Sequence, residues 1–301
     1  MSKFFNNLKN IIFILAISAG VLPILTKFSK EQFETLLNPK TKIGVIAIKS
    51  ALYEGDKYIK ILKEYFKDKS IKAILLKIDC PGGAAGTSQA IFSEIKKLKA
   101  KYCKYVVVFV ENMAASGGYY IATAGDYIIS TPAAFIGSIG SYIAHPMFKD
   151  FIEQFKIKYE VIKTGDYKTV GNPFLQNTEN QKQMLQELSD NVYRQFVSDV
   201  AAQRPNLSKD FKQWADGKIF TGEQAHNLGL IDQIGSESDI DNIFEQNAKL
   251  KGPFHWVTSK KRVGILRMLL NPDDDSEASF TSQFFSKAFE YIQKESLNVK
   301  Y

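Results

Sequence analysis

Apolar and polar positions change rhythm repeatedly along the first half of the chain. Ile43–Ile48 (IGVIAI) is a short apolar run that predicts a strand. Asp56–Lys67 then places Ile59, Leu62 and Phe66 on one helical face. Ile71–Asp79 (IKAILLKID) predicts a buried strand that ends in the turn CPGG. Thr87–Lys99 returns to helical spacing with Ile91, Ile95 and Leu98, and Tyr105–Val110 (YVVVFV) predicts another strand. Strands alternating with helices in this order predict an α/β fold, a mainly parallel sheet joined by right-handed βαβ crossovers. Thr178–Gln203 predicts a long polar helix with Met184, Leu185, Leu188, Val192 and Phe196 as its apolar stripe. A second, short αβ stretch closes at GLIDQIG, and no internal repeat is visible. Beyond about residue 250 the pattern weakens into an acidic linker (NPDDDSEAS) and a small amphipathic helix over Phe284–Ile292.

The N-terminus follows a different logic. Lys3 and Lys9 precede Ile11–Leu25, which carries no charge, and Phe4, Phe5 and Leu8 can lengthen that apolar stretch toward the roughly 20 residues that span a bilayer. Ala16 and Ser18 fit a small-x-small signal-peptide cleavage site, whereas Pro23 and the continuing Ile24–Leu25 favour an uncleaved transmembrane helix. The expected organisation is an anchor or signal over residues 1–27, a spacer over 28–42, one folded domain over 43–250 and a tail over 251–301. Basic residues ahead of the apolar run stay inside, so everything after it is expected on the exported side of the membrane.

Composition narrows the possible functions. The formal charge of +7 over 301 residues is moderate, and lysine is spread along the sequence instead of forming a block. Nucleic-acid binding would want a concentrated basic stripe, so weak attraction to anionic lipid is the more economical use of that charge. Cys80 and Cys103 are the only cysteines; they have no metal-ligand spacing and give no disulfide framework. His145, His226 and His255 are scattered singly. No Walker loop, HExxH or dinucleotide fingerprint occurs, and no cofactor is expected. Ser93–Lys96 (SEIK) fits an S-x-x-K pattern but lies in a lysine-rich amphipathic helix, without a supporting K-T-G.

Two stretches carry candidate chemistry. In ENMAASGGYYIATAGD (Glu111–Asp126), Ser116 sits at a strand-to-helix junction, where its Oγ would project from the C-terminal edge of a parallel sheet. The amide of Gly117 lies in the first helical turn, where N–H groups lack intrahelical partners and can face a developing oxyanion. A capping serine followed by glycines for close packing is the plain alternative. In DCPGGAAG (Asp79–Gly86), Pro81 has no N–H, so the first free donors come from Gly82 and Gly83, again at a strand end. Two such ends in one sheet are what a two-donor oxyanion hole needs, although an isolated PGG is usually a simple βα turn.

The stretches MAASGGYYIATAGDYI, PGG, GDYKTVGNPF (Gly165–Phe174) and GKIFTGEQAHNLGLID (Gly217–Asp232) together resemble short-chain signal peptide peptidase A, a serine peptidase of family S49 within the ClpP/crotonase-like fold. The resemblance covers roughly residues 43–245, plus the N-terminal anchor. ASGGYY and YKTVGNPF are specific to the family, while PGG and GLID are shared with the wider superfamily. It implies Ser116 as nucleophile, Lys168 as general base, Gly83 and Gly117 as oxyanion donors, and Ser138 as a hydroxyl that orients the lysine. A lysine base must be neutral to accept a proton, which desolvation favours. One position departs from the pattern: Cys80 stands where the family often has serine, which is expected to weaken a hydrogen bond in the turn. The resemblance also implies hydrophobic peptides, such as cleaved signal peptides, as substrates. It further implies a single-pass inner-membrane location with an exported (periplasmic) catalytic domain, and homo-oligomeric rings in which neighbouring protomers share the dyad. A crotonase-like acyl-CoA enzyme and a non-catalytic membrane scaffold are the alternative readings.

Overall fold

The computed structural model describes residues 40–259. The expected anchor, the acidic linker and the C-terminal amphipathic helix lie outside the described residues. Among those described, no helix is long and apolar enough to cross a membrane.

The expected βαβ alternation is present. Strand β1 (Thr41–Lys49) leads to α1 (Asp56–Lys67), β2 (Ile71–Cys80), α2 (Ala85–Tyr102), β3 (Tyr105–Ala115) and the short α3 (Gly117–Ala122). There follow β4 (Tyr127–Ser130), β5 (Phe135–Gly137), α4 (Lys149–Gln154) and the long α5 (Glu179–Gln203). The described fold closes with β6 (Ile219–Thr221), α6 (Gly222–Leu228), β7 (Gln233–Ile234), α7 (Ile240–Gln246) and β8 (Phe254–Thr258). The sheet runs β6-β5-β3-β2-β1-β8, with β4 also on β3 and β7 on β4. Every pairing is parallel except β5 with β6. Strand β8 pairs with β1, so the sheet continues past residue 250, where the sequence pattern had faded.

Strand β2 is buried on both faces because helices cover both. Ile74, Leu76 and Ile78 join the larger core with residues of α1, α2 and α3. Ala73 and Leu75 point the other way, onto Ile240, Ile243 and Phe244 of α7. This two-residue alternation explains why IKAILLKID reads as an almost continuous apolar run. Helix α1 buries Tyr58, Leu62, Tyr65 and Phe66, which rotates its inner face slightly from the expected one and leaves Ile59 at the rim. Helix α5 starts with a capping box between Thr178 and Gln181. Its apolar burial is confined to the C-terminal half, through Phe196, Val197 and Val200, while Gln181 is buried in the first turn; of the expected stripe, Leu188 is exposed.

Candidate active site

The site is built where β2 and β3 end. Strand β3 stops at Ala115, and Ser116 takes φ 50° and ψ −123° before α3 begins at Gly117. Positive φ is uncommon for a residue with a side chain and persists only where the surroundings enforce it. Two hydrogen bonds do so here: the Ser116 N–H donates to the Gly137 carbonyl at 2.7 Å, and its own carbonyl accepts from Tyr120 N–H at 2.9 Å. The Ser116 side chain makes no capping bond to the helix it precedes, against the plain capping alternative.

The PGG turn lies directly against this junction. A Cβ on Gly82 would sit 2.7 Å from Ser116 Cβ and 2.9 Å from the Gly117 nitrogen. Any side chain there would occupy the site, and the φ values of 109° at Gly82 and 152° at Gly83 are also glycine conformations. Leu52 clamps the turn from β1's side: its N–H donates to Gly82 O at 2.8 Å, and its carbonyl accepts from Ala84 N–H at 2.8 Å. Among the described residues the Gly83 N–H between them donates to no acceptor. Gly117 is equally constrained, since a Cβ there would meet Ser88 Oγ at 2.1 Å. Ser88 is buried and donates to Ala84 O at 3.1 Å. Sequence reasoning did not single out Leu52 or Ser88, because neither carries a motif; only the fold places them here.

Cys80 holds the turn through its sulfur. The turn is not left without a partner at this position: Gly82 N–H donates to Cys80 Sγ at 3.3 Å. The side chain is fully buried, and burial pushes the thiol up to about 11, so it stays protonated and unreactive at neutral pH. Cys80 also abuts α3, since a Cβ on Gly118 would lie 2.5 Å from Cys80 O and 3.1 Å from Cys80 Cβ. One residue thus touches both strand ends that supply glycine amides.

Ser138 follows Gly137, the residue that receives the Ser116 N–H. It too has positive φ (50°), held by its own N–H donating to Lys218 O at 2.7 Å. Ser116, Gly83, Gly117 and Ser138 are therefore brought to one end of the sheet. Lys168 stands in the segment between β5 and α5. It lies on an exposed turn, and no hydrogen bond joins its Nζ to Ser116 or Ser138 among the described residues. That turn belongs to an arm over residues 141–177 whose one helix is α4.

The arm is tied to α5 and to itself. Gln181 Nε2 donates to the Asp166 carbonyl. Gly171 N–H donates to Asn177 Oδ1 at 3.4 Å, and Asn177 Nδ2 meets His145 Nε2 at 3.0 Å. Phe174 packs on Phe148 and Tyr159. Yet much apolar surface stays open: Tyr142 is 87% and Ile162 96% exposed, with Phe151, Phe155 and Ile157 also exposed. At its other end α5 grips α3, with Tyr120 stacked on Phe196 at 4.5 Å and its hydroxyl bonded to the Asp199 carboxylate. Burial, and then Asp199, raise the Tyr120 phenol well above its ordinary range.

Comparison with known proteins agrees with the motifs. The profile described as "Peptidase family S49" matches residues 98–251. A provisionally named protease of Synechocystis is 37% identical over 202 residues, covering 66% of this chain and 72% of that protein. A provisionally named protease of Methanocaldococcus jannaschii is 36% identical over 197 residues, 65% of this chain and 62% of that protein. A provisionally named signal peptide peptidase of Enterococcus faecium is 33% identical over 198 residues, 66% of this chain and 57% of its own length. The chain thus spans about three fifths of the archaeal and enterococcal proteins. Among solved structures, a mutant of a membrane-bound stomatin-specific protease aligns with a TM-score of 0.48 at 16% identity, over 74% of this chain and 99% of that one. With the profile match extending over half its length, the chain belongs to peptidase family S49.

Proposed function

We propose that the protein is a membrane-anchored serine endopeptidase of ClpP/crotonase-like type that degrades hydrophobic peptides, cleaved signal peptides among them. The observation that carries this reading is Ser116, held at φ 50° beside the Gly82–Gly83 turn and the first amide of α3. In the proposed reaction Ser116 Oγ attacks the scissile carbonyl while its proton passes to the Lys168 amine. The amides of Gly83 and Gly117 hold the oxyanion, and Ser138 orients the amine. Collapse of the tetrahedral intermediate expels the amine half of the peptide, which takes that proton, and leaves an acyl-serine that water then hydrolyses.

Lys168 acts in trans in this reading. Its exposure and the uncovered apolar arm that carries it support a ring in which the arm of one protomer packs on the next and delivers Lys168 to the neighbour's Ser116. Covering that surface would also desolvate the lysine, which favours its neutral form. The uncharged run Ile11–Leu25 supports the anchor, with the domain on the exported side.

The direct test incubates the detergent-solubilised full chain with a labelled signal peptide. The wild type should cut it and Ser116→Ala should not. An uncut peptide, or equal cleavage by both proteins, would reject the reading, and thioester turnover instead would favour acyl-CoA chemistry.

Cys80 gives a graded test of the oxyanion turn. Cys80→Ala leaves the buried Gly82 N–H without an acceptor, a loss of roughly 1–3 kcal/mol that the turn can relieve by shifting. The expected result is a kcat about tenfold lower, short of the hundredfold or more that follows loss of an entire donor. Cys80→Ser keeps a small acceptor and should recover most of that loss. Steady-state kinetics on one hydrophobic peptide reads both variants.

A further inference from the structure

The sheet has two edges of different chemistry. Its C-terminal edge carries Ser116 and the PGG turn. Its N-terminal edge, where β1, β2, β3 and β8 begin, gathers lysines that are far apart in sequence. Lys42, the second residue of β1, stands opposite Ile71 and His255, and Ala73 of β2 stands opposite Tyr105 of β3. This register brings Lys42, Lys69, Lys72, Lys104, Lys249 and Lys251 to one end of the molecule, all but Lys104 exposed. Lys72 and Lys104 share an open cavity of about 410 Å³ with Cys103, Asn247 and Leu250.

The opposing carboxylates are fewer: Glu245 reaches the backbone beside Lys251, a Cβ on Gly252 lying 2.9 Å from its Oε1. Asp126 is paired with Lys99 at 2.7 Å, and Asp68 accepts from Ser70 N–H at 2.8 Å between Lys42 and Lys104. Lys104 donates to the Tyr65 and Asp68 carbonyls at 2.7 and 2.6 Å. Its ammonium is pushed down by burial and by Lys72, which Asp68 only partly offsets. Lysines therefore outnumber carboxylates at this edge, which leaves an excess of positive charge.

The placement of this edge points to its partner. The chain enters the sheet at Thr41, on the basic edge. Only residues 26–40 separate that point from the uncharged Ile11–Leu25 run, at most about 50 Å even when fully extended. We propose that the basic N-terminal edge is a docking face for anionic lipid headgroups. This rests on the membrane-anchored reading above and adds an orientation to it. Strand β2 is ten residues long, so the Ser116 edge stands roughly 30 Å further from the bilayer and opens away from it. Peptides then reach the nucleophile after leaving the membrane.

Cys103 supplies the reporter, being exposed on this edge while Cys80 is buried. The full chain, as Ser116→Ala to prevent self-cleavage, is labelled at Cys103 with a fluorophore. It is then mixed with phosphatidylcholine vesicles, or with vesicles containing phosphatidylglycerol, each carrying a headgroup quencher. Quenching should be strong only with phosphatidylglycerol and should fade as salt is raised from 0.05 to about 0.5 M, where screening shortens the reach of the charges. Each charge removed should weaken the attraction by roughly fivefold, so Lys42→Gln, Lys72→Gln and Lys249→Gln together should abolish the phosphatidylglycerol response.

Flotation separates the two ideas. Co-flotation with both vesicle types but equal quenching would overturn the docking face and leave the anchor standing. Salt-sensitive flotation with phosphatidylglycerol alone would keep the face and remove the anchor. No flotation with either rejects both, as would a salt-sensitive complex with duplex DNA in place of any vesicle response.

Discussion

Ser116→Ala and Lys168→Ala are each expected to abolish peptide cleavage, lowering kcat/KM by at least about a thousandfold, because nucleophile and base act as a unit. Neither change should cost much stability. At Ser116 one non-glycine residue replaces another at φ 50°, and the lost hydroxyl makes no capping bond. Lys168 is exposed on a turn. Circular dichroism melts should therefore stay close to wild type while activity disappears. The histidines provide the contrast. His226→Ala and His255→Ala remove exposed side chains, and His145→Ala removes a contact to Asn177, so all three variants should keep substantial activity. A histidine variant as inactive as Ser116→Ala would contradict a lysine base.

The second large effect is recovery on mixing. If each site combines Ser116 of one protomer with Lys168 of the next, rings assembled from equal amounts of Ser116→Ala and Lys168→Ala chains contain intact sites. A working junction needs an intact serine from one variant beside an intact lysine from the other, so random assembly should restore about a quarter of wild-type activity. The two dead proteins must be dissociated and reassembled together, with each reassembled alone as control. No recovery in rings of normal size would place both residues of the dyad in one chain.

The core elements were legible because their signals are local. Ile91, Ile95 and Leu98 fall on one buried helical face, and the apolar run of β2 is buried on both sides, as a central parallel strand requires. The glycine turns were legible as strand ends with free amides. What the sequence could not supply was depth and company. Residues 141–177 are rich in Tyr, Phe and Ile yet show no period, and in a single chain those side chains face outward. The surface proposed to cover them is not encoded in local spacing. That the Cys80 sulfur itself accepts the Gly82 N–H follows from the turn's geometry and not from its motif. The lysines of the basic edge lie between positions 42 and 251, so only the register of the parallel strands brings them together.

The most direct measurement follows modification of Ser116 by a fluorophosphonate, which needs no knowledge of the natural substrate. The assembled full chain is treated across a pH series, and the site and rate of labelling are read by peptide mass spectrometry. A neutral lysine is required to take the Ser116 proton, so the rate should rise with pH and stay high on the alkaline side. It should collapse in Lys168→Ala, with every adduct of the wild type on Ser116. Labelling on another residue, or a Lys168→Ala protein that reacts as fast as wild type with the same pH profile, would contradict the account.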